Sequence, residues 1–168
     1  MLSLARLDDA RAAPRETLDV AALVQQELAL LVPRALAKGI DLGLDAPESL
    51  TAAIEAAALR SILHNLVVNA IHYVPGGGHV EVSLATTAAG LVLRVADDGP
   101  GIAPDLRPTV FDRFVRGAGH DVAGSGLGLA IVRQAARRSG GDVVLRDGPH
   151  GRGCLFEVTL ASAGGPPR

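Results

Sequence analysis

HNLVVNAIHYVP, residues 64–75, closes a strong helix that the sequence predicts from about residue 55 to residue 73. At about 100° per residue, the apolar side chains of this segment fall on one side, which is therefore the core face. They are Leu59, Leu63, Leu66, Val67, Ala70 and Val74. Polar side chains fall on the opposite side, and they are Ser61, Asn65, Asn69 and His72. The helix therefore packs on a core with one face and presents a row of polar groups from the other.

Helix and strand patterns alternate on both sides of this helix. A helix is predicted at about 19–38, with Asp19 as its N-cap and Gly39 as its C-terminal stop. Further helices are predicted at 125–139 and, in a short form, at 107–115. Strand patterns cover 40–44, 49–54, 79–87, 91–96, 143–146 and 154–160. This order predicts an α+β protein, a two-layer sandwich in which helices cover one face of a mixed sheet.

The composition indicates one globular domain and excludes several classes of protein. Of the 168 residues, 48% are hydrophobic and 20% charged, so general disorder is excluded. The formal net charge of −2 argues against a nucleic-acid-binding protein, which would usually carry a basic excess. The lone Cys154 excludes an internal disulfide framework and suits a reducing compartment. No stretch combines the length and apolarity of a membrane span, so we expect no insertion of this chain into a membrane.

Asn65 and Asn69 stand at positions i and i+4 in the middle of the central helix, where asparagine carries a propensity cost. Their amide oxygens point in one direction, and Mg²⁺ binds hard oxygen ligands while it keeps several waters. The pair is therefore suited to a magnesium ion beside the phosphates of a nucleotide. The alternative is an ordinary solvated helix face.

The turn DDGPGI, residues 97–102, follows the apolar strand pattern LVLRVA. A carboxylate that emerges from a strand into a partly apolar pocket, as Asp97 would, can accept a hydrogen bond from the exocyclic amine of adenine. Such a charge-assisted bond contributes about 1.5–3 kcal/mol. Gly99 and Gly101 let the backbone approach a flat ring with no Cβ in the way. The alternative is a simple Asp-Gly turn.

GSGLGL, residues 124–129, opens the helix predicted at 125–139. Exposed amides at a helix N-terminus form an anion site suited to phosphate. No Lys-Ser/Thr follows the glycines, so the stretch is not a P-loop, and its glycine spacing differs from that of the dinucleotide fingerprint. Taken by itself, the stretch indicates only a phosphate-compatible helix start.

VFDRFVR, residues 110–116, lies between these two motifs. Phe111 and Phe114, at positions i and i+3, would share one side of the predicted short helix. The pair either pins this helix to the core or docks a flexible loop on a partner. In the second case Arg113 and Arg116 would reach phosphate oxygens, because arginine stays charged and its donors fork.

In this order and spacing the motifs resemble the catalytic, ATP-binding domain of bacterial sensor histidine kinases, in the superfamily shared with gyrase and heat-shock protein 90. HNLVVNAIHYVP is similar to the family's N box, DDGPGI to its first glycine box and VFDRFVR to its F box. GSGLGLAIV is similar to the second glycine box, and GRGCLF to the last Gly-x-Gly segment. The resemblance covers about residues 16–161. It implies the Bergerat ATP-binding fold, with about five mixed strands, helices on one face and a mobile ATP lid at about 102–125.

The resemblance also implies which residues bind ATP and Mg²⁺. Asn69 would be the Mg²⁺ ligand, with Asn65 beside it in the phosphate or metal shell. Asp97 would bind the adenine amino group, Gly101 would pack on the ring and Tyr73 would flank the base.

At the phosphate end, Gly126 and Gly128, with the amides around Leu127, would cradle the phosphates. Arg116, more than Arg113, corresponds to the lid arginine that reaches the γ-phosphate. The remaining members of the implied nucleotide-binding set are His72, Gly99, Ile102, Gly124, Ser125 and Leu129.

This sequence departs from the family pattern in two ways. Many relatives carry Lys or Arg where this chain has His72, and a histidine is mostly neutral at pH 7. Nucleotide binding is therefore expected to be weaker or more dependent on pH. The chain also contains no phospho-acceptor motif, His-Glu/Asp followed by Pro, so the acceptor histidine is expected on another module.

The family further implies a domain organisation and partners. Residues 1–15 are similar to the end of the dimerisation hairpin's second helix and a linker, residues 16–162 form the catalytic domain, and residues 163–168 are a disordered tail. The expected partners are the phospho-acceptor dimerisation domain and the receiver domain of a response regulator. The fragment itself is expected to be mostly monomeric and cytoplasmic, within a parent anchored in the inner membrane.

Two other functions fit the same motifs less well. An anti-sigma-factor-type Ser/Thr kinase would share the superfamily fold, although the F box speaks against it. A non-catalytic module could use the nucleotide only to order the lid for docking.

Overall fold

The computed structural model describes residues 13–115 and 126–162, which form seven β-strands and three α-helices. The helices are α1 (Val20–Ala37), α2 (Ala56–Tyr73) and α3 (Gly128–Arg138). The strands are β1 (Glu16–Asp19), β2 (Asp41–Asp45), β3 (Thr51–Ile54), β4 (His79–Thr87), β5 (Gly90–Asp97), β6 (Asp142–Asp147) and β7 (Cys154–Leu160). A five-stranded mixed sheet has the order β2-β4-β5-β7-β6, and β1 pairs separately with β3. Within the sheet β2 and β4 are parallel and the other pairs are antiparallel. The predicted α+β class is confirmed.

One face of the sheet forms the core with the helices. The predicted core face of α2 is confirmed, because each of its six apolar side chains is at most 3% exposed. Side chains of alternating strand positions join them in one buried cluster, and they include Val80, Val82, Leu93, Val95, Phe156 and Val158. On the opposite face Arg94 Nε donates to Glu157 Oε2 at 2.7 Å, and Arg146 lies beside the same carboxylate. The sheet therefore has an apolar inner face and a charged outer face, as a two-layer sandwich requires.

Asp19 begins α1, as predicted, and it also fixes the neighbouring loop. Its Oδ1 accepts hydrogen bonds from Ala22 N and Leu50 N, both at 3.2 Å, and its Oδ2 accepts one from Ser49 Oγ at 2.8 Å. The bond from Ser49 and those from the backbone lower the pKa of Asp19. The N-cap therefore ties the start of α1 to the segment that leads into β3.

The prediction that no segment meets the membrane-span criteria is wrong for α1. This helix has 18 residues with a mean hydropathy of 1.3, which suffices by length and composition alone. Its inner face, however, packs into the core through Val20, Val24, Leu28, Leu31 and Ala35. Core helices of soluble proteins meet the same criteria, and in α1 the exposed Leu30, Val32 and Leu36 raise the mean hydropathy further.

Lys38 connects the end of α1 to the C-terminal end of α2. Its Nζ donates to the carbonyl oxygens of Ile71 at 2.7 Å and His72 at 2.6 Å. These are among the last carbonyls of α2, which have no partner within the helix. The lysine therefore caps α2 and holds its final turn in place.

The structure differs from the sequence prediction at two places. β1 was not predicted, and it pairs with β3 from Glu16↔Ile54 to Asp19↔Thr51. The short helix predicted at 107–115 is wrong, since only a 3₁₀ turn at Arg107–Thr109 forms there. Prolines at 104 and 108 and a positive φ of 65° at Phe114 leave no room for a continuous helix. Of the helix end and linker implied at 1–15, residues 1–12 lie outside the described residues, and the tail at 163–168 lies outside them completely.

Candidate nucleotide site

A cavity of about 830 Å³ lies between α2, the end of β5, the start of α3 and the β6–β7 turn. Small-molecule sites typically have volumes of about 300–1,000 Å³. The cavity brings together most of the residues that the sequence singled out. They are Asn65, Asn69, His72, Tyr73, Asp97, Gly99, Gly101, Ile102, Gly126, Gly128 and Leu129. Arg113 is exposed and, like Leu127, is not among the lining residues that the structure describes. Arg116, Gly124 and Ser125 lie outside the described residues.

The carboxylate of Asp97 lies buried at the end of β5. The residue is 7% exposed, and its Oδ1 accepts hydrogen bonds from Gly99 N at 2.9 Å and from Cys154 N at 3.3 Å. Burial raises the pKa of Asp97, although these two backbone donors act in the opposite direction. The carboxylate is thus held in a fixed orientation and keeps acceptor capacity for a ligand, since a carboxylate offers about four lone-pair sites.

Glycines let the β6–β7 turn pass directly over Asp97. A Cβ on Gly153, where φ is +70°, would lie 1.9 Å from the Asp97 carbonyl oxygen and 2.8 Å from its Oδ1. Gly101 has a φ of +77°, and a Cβ there would lie 3.2 Å from the carbonyl oxygen of Gly153. A side chain at either position would be forced against the neighbouring backbone. Glycine therefore permits the close packing of these segments, which forms the floor of the cavity.

The first turn of α3 lies against the polar strip of α2. Asn65 Nδ2 donates to Ser61 O at 2.8 Å, which fixes the amide. A Cβ on Gly128 would lie 3.2 Å from Asn65 Oδ1, so the glycine lets the start of α3 approach this oxygen. The N-terminal amides of α3 and the two asparagines of α2 therefore border the same end of the cavity.

His72 and Tyr73 form the wall at the C-terminal end of α2. Their rings meet edge to face, with centroids 5.0 Å apart and planes at 88°. Burial lowers the pKa of His72, and the charges of Lys38 and Arg34 lower it further. His72 is therefore neutral at pH 7 in the empty protein, as expected from the sequence.

Phe111 and Phe114 do not share one side of a helix, as the sequence predicted. Phe111 is partly buried and packs edge to face on Phe156, with centroids 6.1 Å apart, while Arg133 lies 5.6 Å above its ring. Phe114 is 72% exposed, and its N donates to Gly126 O at 2.9 Å. The first phenylalanine therefore anchors the segment to the core, and the second lies outside it.

The hydrogen bond from Phe114 to Gly126 joins the two ends of the segment at 115–125. A Cβ on Gly126, where φ is +68°, would lie 2.9 Å from Phe114 Cα, so only glycine permits this close approach. Gly126 thus belongs to the cavity wall and also closes the base of the segment where the sequence predicts the lid.

The cavity lining also includes four charged side chains and one thiol that the sequence did not indicate, namely Arg34, Arg107, Asp147, Arg152 and Cys154. Arg107 joins two walls, because its Nε donates to Ile102 O at 3.0 Å and its Nη2 pairs with the carboxylate of Asp147. No sequence pattern connects positions 107 and 147. Burial raises the pKa of the Cys154 thiol to about 12, so this cysteine is an unreactive wall residue.

Comparisons with known proteins agree with this geometry. Residues 54–164 match the family described as histidine kinase-, DNA gyrase B-, and HSP90-like ATPases. The chain is 36% identical over 146 residues to the swarming motility regulation sensor protein RssA of Serratia marcescens, covering 86% of this chain and 31% of RssA. It is 37% identical over 162 residues to the sensor protein kinase PmrB of Pseudomonas aeruginosa, covering 95% of this chain and 34% of PmrB. The chain thus spans about a third of the length of these curated relatives.

Solved structures show the same fold. The mycobacterial sensor histidine kinase MprB superposes with a TM-score of 0.77 at 29% identity, over 88% of this chain and 98% of that one. Full-length ShkA, solved in complex with AMPPNP, superposes with a TM-score of 0.74 at 35% identity, over 92% of this chain and 33% of ShkA. Because the family match covers well over half of the chain, this chain belongs to the family of histidine kinase-, DNA gyrase B-, and HSP90-like ATPases.

Proposed function

We propose that this chain is the ATP-binding catalytic domain of a sensor histidine kinase, which transfers the γ-phosphoryl group of ATP to a histidine of a dimerisation domain outside this chain. The observation that carries the proposal is the buried carboxylate of Asp97 at the floor of a cavity that α2 lines with Asn65 and Asn69. The relatives named as sensor kinases support it, since they align with nearly the whole chain.

We assign the adenine ring to the Asp97 end of the cavity. The carboxylate would accept a hydrogen bond from the exocyclic amine, and backbone donors already hold it in place. Tyr73 and Ile102 would supply apolar contact to the ring, with Gly99 and Gly101 leaving room for it. A purine with an amino group fits this set better than one with a carbonyl, because two acceptors would repel each other.

We assign the phosphates to the part of the cavity between the start of α3 and the polar strip of α2, which extends from Asn65 to His72. The amides around Gly126 and Gly128 lie at the positive end of the α3 dipole, which favours an anion. Within residues 13–115 and 126–162 no group of three or more His, Cys, Asp and Glu side chains could hold a metal. A magnesium ion would therefore depend on the amide oxygen of Asn69, with Asn65 beside it, and on phosphate oxygens. When bound, Mg²⁺ neutralises phosphate charge.

Phosphoryl transfer requires positioning and charge neutralisation more than covalent chemistry by the protein. An imidazole nitrogen of the partner domain would attack the γ-phosphorus, a P–N bond would form, the bond to the bridging oxygen would break, and ADP would leave. We propose Arg116 as the lid arginine that stabilises the transferred group, with Arg113 as a second candidate. The hydrogen bond from Phe114 to Gly126 would hold the base of this lid beside the phosphates.

The proposed partners follow from this reaction. The phosphohistidine would pass its phosphoryl group to the receiver domain of a response regulator. The full-length protein would be anchored in a membrane with this domain in the cytoplasm, and this chain by itself would be mostly monomeric, because dimerisation would belong to the hairpin domain.

The first test is a calorimetric titration with a non-hydrolysable ATP analogue, with and without Mg²⁺. We expect binding that Mg²⁺ strengthens, and we expect Asn69→Ala to remove that strengthening, about a tenfold effect, because the amide oxygen completes the metal shell. The control is His64→Ala, on the exposed side of the same helix. Absence of heat at millimolar nucleotide, or an unchanged Mg²⁺ effect in Asn69→Ala, would contradict the proposal.

A second test separates the kinase from the other two functions. The parent's dimerisation hairpin is added in trans with labelled ATP, and acid-labile phosphate on the hairpin supports the histidine kinase. Transfer to a serine of a small partner would indicate the anti-sigma-factor type instead. Binding of the hairpin without any transfer would indicate a non-catalytic module.

The contact between Arg107 and Asp147 leads to a prediction about nucleotide release. Arg107→Gln removes the ion pair that joins the two walls beside the base, so we expect the bound nucleotide to dissociate about three- to fivefold faster. Stopped-flow release of a fluorescent ATP analogue measures this rate. The matched control is Arg137→Gln, which breaks an exposed Arg–Asp pair with Asp142 outside the cavity. Equal release rates in the two variants would show that the pair does not close the site.

A further inference from the structure

Arg34 lies in the last turn of α1 and lines the cavity. In the part of the chain that the structure describes, no hydrogen bond or ion pair engages its guanidinium. The other cations near the cavity differ from it. Arg107 pairs with Asp147, and Lys38 Nζ donates to two carbonyl oxygens of α2. Arg152 lies on another wall, between Gly151 and Gly153 in the β6–β7 turn that passes over Asp97.

Arg34 faces the end of α2 that carries His72. Both side chains line the same cavity, and the charge of Arg34 contributes to the lowered pKa of His72. His72 therefore brings no positive charge to this wall at pH 7, and Lys38 is already engaged at the C-terminus of α2. Among the residues that the structure describes, Arg34 is therefore the cation of this wall that remains available to a ligand.

We propose that Arg34 binds the phosphates of the nucleotide and supplies, from α1, the positive charge at the His72 end of the cavity. The inference rests on the proposed function and adds to it a residue from an element outside all the glycine and asparagine motifs. A guanidinium suits this role, because its charge persists at every physiological pH and its forked donors match phosphate oxygens.

The size of the effect depends on the number of phosphates. Arg34 is exposed, so solvent and salt screen its attraction, and the gain remains modest. Each added phosphate increases the negative charge that Arg34 meets, whereas adenosine offers none. We therefore expect Arg34 to contribute to the affinity for ATP, less to that for ADP, and nothing to that for adenosine.

The experiment compares Arg34→Gln with the unsubstituted chain in titrations with ATP, ADP and adenosine. We expect ATP to bind about three- to tenfold more weakly, ADP less so, and adenosine unchanged. The ATP difference should shrink when the salt concentration is raised. Arg60→Gln is the matched control, because it neutralises an exposed arginine that pairs with Glu27 and does not line the cavity.

A rescue variant distinguishes direct charge supply from an indirect effect on packing. His72→Arg in the Arg34→Gln background restores a cation at the same wall, and we expect it to recover most of the lost ATP affinity. An unchanged ratio of ATP to adenosine affinity in Arg34→Gln overturns the inference about Arg34 while leaving the proposed function intact. If the unsubstituted chain binds none of the three ligands, that result counts against the proposed function itself.

Discussion

Asp97→Asn is expected to weaken ATP binding at least about a hundredfold while it leaves the empty domain as stable as the parent or more stable. The amide Oδ1 can still accept the backbone bonds from Gly99 and Cys154, so the local structure is kept. The second oxygen, however, becomes an NH₂ donor, which would meet the adenine amine donor to donor. Isothermal titration with ATP and thermal denaturation of the empty protein measure the two halves of this prediction.

The stability half of this prediction follows from the direction of the pKa shift. Burial raises the pKa of Asp97 in the folded state above its unfolded value, so the folded protein holds the proton more tightly. The contribution of Asp97 to stability is therefore greatest below the unfolded pKa and is lost as the pH rises through the folded pKa. At neutral pH the charged carboxylate opposes folding, and Asn removes that cost.

Asp98→Asn is the matched control for Asp97→Asn. Asp98 is the adjacent exposed residue, and its Oδ1 accepts a hydrogen bond from His79 N at 2.8 Å outside the cavity. We expect this variant to bind ATP like the parent. Retention of ATP affinity by Asp97→Asn, or equal losses in the two variants, would contradict the assignment of adenine to Asp97.

Gly153→Ala is expected to destabilise the domain by about 3–5 kcal/mol and to abolish nucleotide binding. The added Cβ would lie 1.9 Å from the Asp97 carbonyl oxygen, a distance that no side-chain movement relieves. The β6–β7 turn must then move away from Asp97, and Cys154 N leaves its hydrogen bond to the carboxylate. Chemical denaturation and ATP titration of the purified variant measure the two effects.

Gly151→Ala is the control that distinguishes the effect of the steric clash at Gly153 from the effect of a positive φ alone. Gly151 has a φ of +73°, similar to that of Gly153, but a Cβ there would meet nothing within 4 Å. We expect Gly151→Ala to lower the free energy of unfolding by only about 1–2 kcal/mol, because the left-handed backbone conformation is unfavourable for an L-residue by about that amount. Similar losses in the two variants would show that backbone strain, and not the contact with Asp97, sets the requirement for glycine.

Local patterns made much of the fold predictable. The core face of α2 follows from helical spacing alone, and Asp97 was predictable because an apolar strand ends in an Asp-Gly turn. The polar side chains of α2 did not indicate which element would lie beside them. The glycines at the start of α3 did, because a glycine permits the close approach of another segment, here of α2.

The incorrect predictions come from places where tertiary contacts override local pattern. Glu16–Asp19 is too short to show a strand period, and its pairing with β3 depends on a segment more than thirty residues away. The spacing of Phe111 and Phe114 predicts that both lie on one helix face. In the structure Phe111 packs against Phe156, and Phe114 is exposed.

The charged cavity residues that the sequence did not indicate belong to separate elements. Arg34 lies in the last turn of a helix whose pattern indicates only packing, and Arg107, in a 3₁₀ turn, is forty positions away from Asp147 at the end of β6. An exposed arginine usually signifies solubility, so its position over a cavity becomes visible only when the elements are assembled.

Arg15 and the end of β7 meet at a single acceptor. Arg15 Nη2 donates to Ser139 O at 3.2 Å, and Ala161 N donates to the same carbonyl at 3.2 Å. The two points where the described domain connects to flanking chain are therefore neighbours, on the side of α3 opposite its N-terminus. Such a domain can be spliced into a surface loop of an unrelated host, or circularly permuted with a short linker, without stretching its sheet.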